Sequence, residues 1–178
     1  DRLTLAGLLK AQGYRTACIG KWLLGWDWPL PPRKGAVFHG NAHNATATDE
    51  HRSAWREVFS QPIAGGPTTR GFDVYFGTDV PNWPPYCFIE NDRTAGIPSE
   101  FLPAGLLKDH LASLQGPALP GWKLSAVLPA LADRAGQFIK DCATAKQPFF
   151  LYLPLTSPHT PLAVNEPWRG RSGLIAYA

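Results

Sequence analysis

The sequence predicts an α/β fold, because a helix followed by a strand occurs twice along its 178 residues. The first such unit spans residues 4 to 19, and the second spans residues 128 to 153. A third observation is the continuous apolar run from Phe149 to Leu153, which is typical of a strand buried on both faces of a parallel sheet. We therefore expect parallel strands with helices packed against them.

The first helix is predicted over residues 4 to 12. Leucines recur there at helical spacing behind Thr4, a residue type that caps helices, and Gly13 ends the pattern. Residues 14 to 19 are rich in β-forming side chains and lie between glycines, so a strand is expected next. Lys21 then falls at the carboxyl end of that strand.

The middle of the chain predicts fewer regular elements. Residues 25 to 50 and residues 94 to 121 are interrupted by prolines and glycines, so both are expected to be irregular. Residues 50 to 59 predict one or two helical turns. Residues 71 to 77 predict a strand, and residues 86 to 90 predict a second extended piece.

The clearest helix is predicted over residues 128 to 145. Pro129 suits a first helical position, and an apolar face follows it at helical spacing. The members of that face are Leu131, Ala135, Phe138, Ile139 and Cys142. This helix precedes the apolar run that predicts the last strand.

Composition and charge exclude several classes of protein. The net charge of +3 arises from basic and acidic residues scattered along the chain, so a nucleic-acid partner is not expected. No apolar stretch approaches the roughly 20 residues of a membrane span. Because the chain lacks methionine and begins and ends within periodic segments, we expect it to be an internal part of a larger protein.

The cysteines are an odd set that contains no Cys-x-x-Cys pair. Neither a disulfide framework nor a thiolate zinc site is therefore predicted. We expect Cys18, Cys87 and Cys142 to be buried as small apolar residues.

Two predicted strand ends each carry a cationic or titratable side chain. Lys21 ends the first strand, and His159 follows the apolar run after a short segment. Ligands of open α/β sheets bind at the carboxyl ends of strands. The pair suits an anionic ester, whose developing charge needs fixed positive groups.

Several segments in a fixed order carry a resemblance to a known family. They are Thr4-Leu5-Ala6, Gly13 to Thr16, Gly20-Lys21-Trp22, Gly71 to Gly77, and Phe149 to Leu162. Together they resemble the middle of a type I, formylglycine-dependent sulfatase of the arylsulfatase-like kind. Pro84-Pro85-Tyr86 and Phe88 to Asp92 are also similar to bacterial members.

The resemblance implies an alkaline-phosphatase-like mixed or parallel sheet with helices on both faces. Residues 1 to 178 would be the central part of one catalytic domain that hydrolyses sulfate esters with a formylglycine nucleophile beside a calcium ion. Lys21 would contact the sulfate oxygens, and His159 would bind the sulfate and help the leaving oxygen depart. Sulfated small molecules or glycans would be the substrates, and the location would be periplasmic or secreted.

The chain departs from the family pattern at several points. Leu23 occupies the position of an expected catalytic histidine, at what we predict to be a buried strand end. No cysteine lies in a Cys-x-Pro-x-Arg signature. The calcium ligands implied by the family would fall before Asp1 and after Ala178, so none is assigned within this chain. A noncatalytic protein that binds sulfated ligands, and a phosphoester or phosphonate hydrolase, remain as alternatives.

Two further groups of residues have competing interpretations. Histidines four residues apart can share a helix face and bind metal, but Gly40 and Asn41 disfavour that helix, so a substrate-facing loop is expected instead. That group comprises His39, His43, Asp49 and His51. Trp26, Trp28, Trp83 and Trp122 either line an aromatic pocket or anchor the packing of long loops.

Overall fold

The computed structural model describes residues 2–32, 47–107 and 113–173. The helices in these ranges are α1 (Leu5–Ala11), α2 (Asp49–Phe59) and α3 (Val127–Thr144). The strands are β1 (Arg15–Lys21), β2 (Trp26–Asp27), β3 (Ala64–Gly65), β4 (Val74–Thr78), β5 (Ile89–Glu90), β6 (Arg93–Thr94), β7 (Glu100–Leu102), β8 (Gly116–Ala118) and β9 (Phe149–Tyr152). Short 3₁₀ turns occupy Pro67–Arg70, Ala104–Leu107 and Leu124–Ala126.

The main sheet has five strands in the order β6-β5-β4-β1-β9. β1 is parallel to both β4 and β9, whereas β5 and β6 add antiparallel strands beyond β4. β1 therefore lies inside the sheet, with a parallel strand on each side. The predicted α/β fold with a mixed sheet is confirmed.

Alternation along β1 sends its side chains to two different hydrophobic clusters. Ala17 and Ile19 pack with the apolar face of α3, and both are fully buried. Cys18 points to the opposite face, into a cluster that includes Ala6 of α1. Helices thus cover both faces of the sheet, as expected.

The predicted helices are confirmed with small shifts in their bounds. Thr4 caps α1 by accepting a hydrogen bond from the backbone N–H of Gly7. α2 is longer than predicted, because Thr48 and His51 form a reciprocal capping box at its start. All three cysteines are buried and unpaired, as predicted.

The prediction that β9 is buried on both faces is wrong. Phe150 and Leu151 pack against opposite faces of the sheet, but Phe149 and Tyr152 at the two ends remain 37% and 45% exposed. β9 is the edge strand next to β1, so one of its sides has no neighbouring strand in the described sheet. The apolar run that predicts β9 therefore corresponds to a strand that is only partly covered on each of its two faces.

The prediction that residues 25 to 50 and 94 to 121 are irregular is also partly wrong. β7 and β8 pair as antiparallel strands within residues 94 to 121, with Phe101 opposite Pro117. Local pattern did not reveal them because the pairing joins short segments that are distant in sequence. Residues 25 to 50 contain β2, which pairs with β3 further along the chain, and residues 33–46 lie outside the described ranges.

Asp73 connects α1 to the amino-terminal end of β1. Its carboxylate accepts hydrogen bonds from the backbone N–H and the hydroxyl of buried Thr16, and it forms an ion pair of 2.7 Å with Lys10. Partial burial by itself would raise the pKa of Asp73, but the bonds from Lys10 and Thr16 outweigh it and lower the pKa.

Replacing Asp73 with alanine is expected to lower the free energy of unfolding by about 1 to 3 kcal/mol at neutral pH, because the buried backbone N–H of Thr16 loses its acceptor, whereas the Thr16 hydroxyl keeps its bond to the carbonyl of Gly71. A lowered pKa in the folded state stabilises above the ordinary value of 3.8 and loses that effect as pH falls through the folded value. Urea unfolding of wild type and D73A at several pH values should therefore show a difference in the free energy of unfolding that becomes smaller in acid. The exposed Asp133 on α3, replaced by alanine, is the control; equal effects would contradict this account.

Candidate functional site

The carboxyl ends of β1, β4 and β9 meet at one edge of the sheet. Lys21, the last residue of β1, lies opposite Thr78, the last residue of β4. Its backbone N–H donates to the carbonyl of Pro154, just beyond β9, at 2.9 Å, and the N–H of Trp22 donates to the carbonyl of Thr78 at 3.0 Å. These bonds fix the three strand ends against one another.

Two glycines permit this close approach. Gly20 has a φ of +145°, and a Cβ at this position would overlap the carbonyl of Pro154. A Cβ at Gly77 would overlap the carbonyl of Gly20 on the neighbouring strand. The buried hydroxyl of Tyr75 lies 3.1 Å from the carbonyl oxygen of Gly20 and 2.9 Å from that of Thr78, and it bridges the two strands.

His159 lies in the segment that follows β9. Its backbone N–H donates to the carbonyl of Thr156 at 3.0 Å. Its Nδ1 lies 2.6 Å from the carbonyl oxygen of Thr160. Because a carbonyl only accepts, this bond requires the proton on Nδ1, which leaves Nε2 for acid–base chemistry or for a ligand.

A small cavity of about 40 Å³ lies beside His159. Its wall includes Thr78 from β4, Trp122 from the segment before α3, and Tyr86 and Cys87 from the loop before β5. Lys21 is not part of this wall, although it pairs with Thr78. The structure therefore brings Lys21 and the His159 segment to one edge of the sheet, with Lys21 outside the cavity.

Asp79 follows Thr78 directly, and sequence reasoning did not single it out. Burial raises its pKa to about 6, although a hydrogen bond with the Trp28 side chain works in the opposite direction. Its position after a strand parallel to β1 is the signal that could have found it. It is a partly buried carboxyl at the sheet edge that holds Lys21.

None of the cysteines is placed as a nucleophile. Burial raises the pKa of the Cys18 thiol to about 12, and burial followed by the charge of Asp79 raises the pKa of Cys87. Cys142 lies fully buried on α3. A protonated thiol is a poor nucleophile, so these residues serve the core.

Leu23 is 61% exposed, which contradicts the expected buried strand end. β1 ends at Lys21, and the chain then runs along the surface through Leu23 and Leu24 to β2. Whether it occupies the position of a catalytic group is a separate prediction.

Among the residues described by the structure, no group of three or more His, Cys, Asp or Glu side chains could hold a metal ion. His39 and His43 lie outside the described ranges, whereas His51 is engaged with Thr48 in the cap of α2. The sulfatase-type calcium ion therefore finds no ligand set in these ranges. No helix there is both long and apolar enough to cross a bilayer.

Two of the four tryptophans named from the sequence serve packing. Trp26 lies 5.3 Å from the ring of Tyr75, and Trp28 meets Phe59 edge to face at 5.7 Å, measured between ring centroids. Trp83 is 45% exposed. Trp122 lines the cavity beside His159.

A family model and several known proteins that are similar to this chain are all sulfatases. The family model for Sulfatase matches residues 1–173. Arylsulfatase G from Mus musculus is 31% identical over 94% of this chain and 27% of its own length. Its Homo sapiens counterpart is 30% identical over 93% of the chain and 27% of its length. N-acetylgalactosamine-6-O-sulfatase from Bacteroides thetaiotaomicron is 24% identical over 97% of the chain and 35% of its length. The chain thus spans about a third or less of these relatives.

Proposed function

Because this chain belongs to the sulfatase family, we propose that it forms the central part of a catalytic domain that hydrolyses sulfate monoesters. The observation that carries the proposal is the meeting of Lys21 and the His159 segment at the carboxyl edge of three parallel strands. An arylsulfatase-like activity is the specific form we propose, since relatives named arylsulfatase G cover most of the chain.

Lys21 supplies a fixed positive charge for the sulfate oxygens, where negative charge increases as the ester bond breaks. His159 acts as the general acid. Its Nδ1 proton is held by Thr160, so Nε2 is the atom that delivers a proton to the leaving alcohol or phenol oxygen. Both residues act on the same oxyanion.

The nucleophile and the metal are proposed to lie outside these 178 residues. Type I sulfatases use a formylglycine hydrate and calcium, and the buried cysteines and described acidic residues here fit neither group. We therefore expect the 178-residue chain alone to be inactive. We further propose sulfated small molecules or glycans as substrates and a periplasmic or secreted location, as the family resemblance implies.

The proposal is tested with the complete protein and two matched substrates. We expect 4-nitrophenyl sulfate to be hydrolysed and 4-nitrophenyl phosphate to react more slowly at equal concentration. Hydrolysis of the phosphate alone would identify a phosphoesterase of the same superfamily. Tight sulfate binding without turnover of either ester would support a noncatalytic binding protein, the alternative that Leu23 favours.

Replacing Leu23 with histidine in the complete protein is expected to raise kcat for 4-nitrophenyl sulfate by about 10²-fold or more, because it restores an acid–base group beside the nucleophile. The exposed position of Leu23 accommodates the imidazole without repacking. Leu24→His is the control, since Leu24 is equally apolar and 77% exposed. An unchanged kcat in L23H, or an equal rise in both variants, would show that Leu23 does not occupy the catalytic position.

A further inference from the structure

A large groove continues from the small cavity beside His159. The cavity and the groove share six wall residues, which come from the segment before α3, from α3 and from the segment after β9: Trp122, Leu124, Leu128, Ser157, Pro161 and Ala163. The groove has a volume of about 1220 Å³, whereas a pocket for one drug-sized ligand has about 300 to 1,000 Å³. It therefore has room for more than a small sulfate ester bound at His159.

Trp168 lies in the wall of this groove with an exposed ring. The residue is 65% exposed, more than any other aromatic residue in the described ranges. A buried tryptophan anchors the packing of a core, but an exposed ring offers a flat surface to a ligand. The guanidinium of Arg171 lies 5.2 Å from the centroid of the ring, and the ring remains accessible beside it.

The turn that carries Trp168 is attached to the segment before α3 through Asn165. The backbone N–H of Trp168 donates to the carbonyl of Asn165 at 2.9 Å. The side-chain amide of Asn165 donates to the carbonyl of Ser125 at 2.7 Å, and both of these residues line the groove. The exposed ring is therefore held in position before a ligand arrives, which limits the entropy that is lost on binding.

The charged side chains of the groove favour an anionic ligand. Lys123 and Arg169 are exposed in its wall, and Arg171 lies against Trp168. The one acidic residue among the described residues of this wall is Glu166, whose carboxylate lies 3.4 Å from Arg169. Both members of this ion pair are exposed, so the pair is weak and Arg169 can exchange it for an anion of the ligand.

An exposed aromatic ring beside cations matches the chemistry of a sulfated sugar chain. The C–H groups on one face of a pyranose ring form an apolar surface that can lie against an aromatic ring. Sulfate or carboxylate groups on the same chain pair with lysine and arginine side chains. A small aryl sulfate bound at His159 has neither a sugar ring nor a second anion to place in the groove.

We propose that the groove binds the sugar residues that adjoin the sulfated residue cleaved at His159, with Trp168 as a stacking surface and Lys123 and Arg169 as partners of a second anionic group. The preferred substrate is then a sulfated oligosaccharide that carries more than one anionic group. This inference rests on the proposed function for the reaction at His159, but binding in the groove can be measured without that reaction.

The test is calorimetric titration of the complete protein with tetrasaccharides from heparin and from chondroitin 6-sulfate, and with N-acetylgalactosamine 6-sulfate as a single sugar. At least one tetrasaccharide should bind about 10-fold or more tightly than the single sugar. Trp168→Ala should weaken that binding by about 10-fold or more, and Trp168→Phe should retain most of it. Tyr14→Ala is the control, since it removes an exposed aromatic side chain just before the amino-terminal end of β1 and should leave binding unchanged.

Variants of the charged residues should change the affinity in opposite directions. Lys123→Ala and Arg169→Ala should each weaken tetrasaccharide binding by about threefold or more, because each removes a cation from the groove. Glu166→Gln should strengthen it by about twofold, because it frees Arg169 and removes a repelling charge. Lys140→Ala, which removes an exposed lysine outside the groove wall, should have no effect. Weaker binding in both E166Q and R169A would mean that the ion pair only maintains the turn, and would contradict the assignment of Arg169.

Activity toward 4-nitrophenyl sulfate separates this inference from the proposed function. W168A should keep kcat/KM for this small ester within about twofold of wild type. Equal binding of the tetrasaccharides and the single sugar, or tetrasaccharide binding that W168A leaves unchanged, would overturn the inference and indicate that another part of the complete protein covers the groove. Tetrasaccharide binding that depends on Trp168, without hydrolysis of any sulfate ester by wild type, would keep the groove and refute the proposed hydrolase.

Discussion

His159→Ala in the complete protein is expected to lower kcat for sulfate esters by about 10² to 10⁴-fold, because the leaving oxygen loses its proton donor. The size of the loss should depend on the leaving group. 4-Nitrophenolate departs readily without a proton, whereas an alkoxide does not. The measurement is kcat for 4-nitrophenyl sulfate and for a simple alkyl sulfate, in wild type and in the variant.

A general acid at Nε2 predicts a much larger loss for the alkyl ester than for the nitrophenyl ester. Equal losses for the two substrates would indicate that His159 only binds sulfate. The pH dependence gives a second readout, because the descending limb that reports an essential acid should disappear in H159A. An unchanged profile would contradict the assignment.

Lys21→Ala is expected to lower kcat/KM for 4-nitrophenyl sulfate by roughly 10² to 10³-fold. This corresponds to a loss of about 3 to 4 kcal/mol in transition-state stabilisation. The physical reason is the loss of a fixed cation at the sheet edge where the sulfate charge increases. The fold should be unaffected, because β1 is held there by the Lys21 backbone N–H and by Tyr75, not by the ammonium group.

Lys140→Ala provides the control for charge alone, since Lys140 is exposed and lies in α3, not at a strand end. Equal activity losses in K21A and K140A would indicate a general electrostatic effect. Lys21→Arg is a second informative variant. It keeps the charge but alters donor geometry, so it should retain more activity than K21A.

The elements with strong local signals could be predicted from the sequence. α1 and α3 carry apolar faces at helical spacing with capping or first-turn residues, and β1 is a run of β-forming side chains that begins just after Gly13. β7 and β8 could not be predicted, because their stability comes from a pairing of distant short segments and not from local pattern. The exposure of β9 depends on its edge position, which is a property of the whole sheet.

The site was predictable to a similar extent. Lys21 and His159 were proposed from the sequence because each lies at or after the end of a recognisable strand, in a segment that resembles the sulfatases. Asp79 was not singled out from the sequence, because its raised pKa comes from burial in the folded chain.

The central claim is that sulfate esters are hydrolysed at the edge where Lys21 and His159 meet, and a double-variant cycle tests it most directly. We would measure kcat/KM for 4-nitrophenyl sulfate in wild type, K21A, H159A and the double variant. Groups that act on one transition state are not additive, so the loss in the double variant should fall short of the summed single losses by about 1 kcal/mol or more. Losses that add, or single variants with wild-type kcat/KM, would contradict the claim.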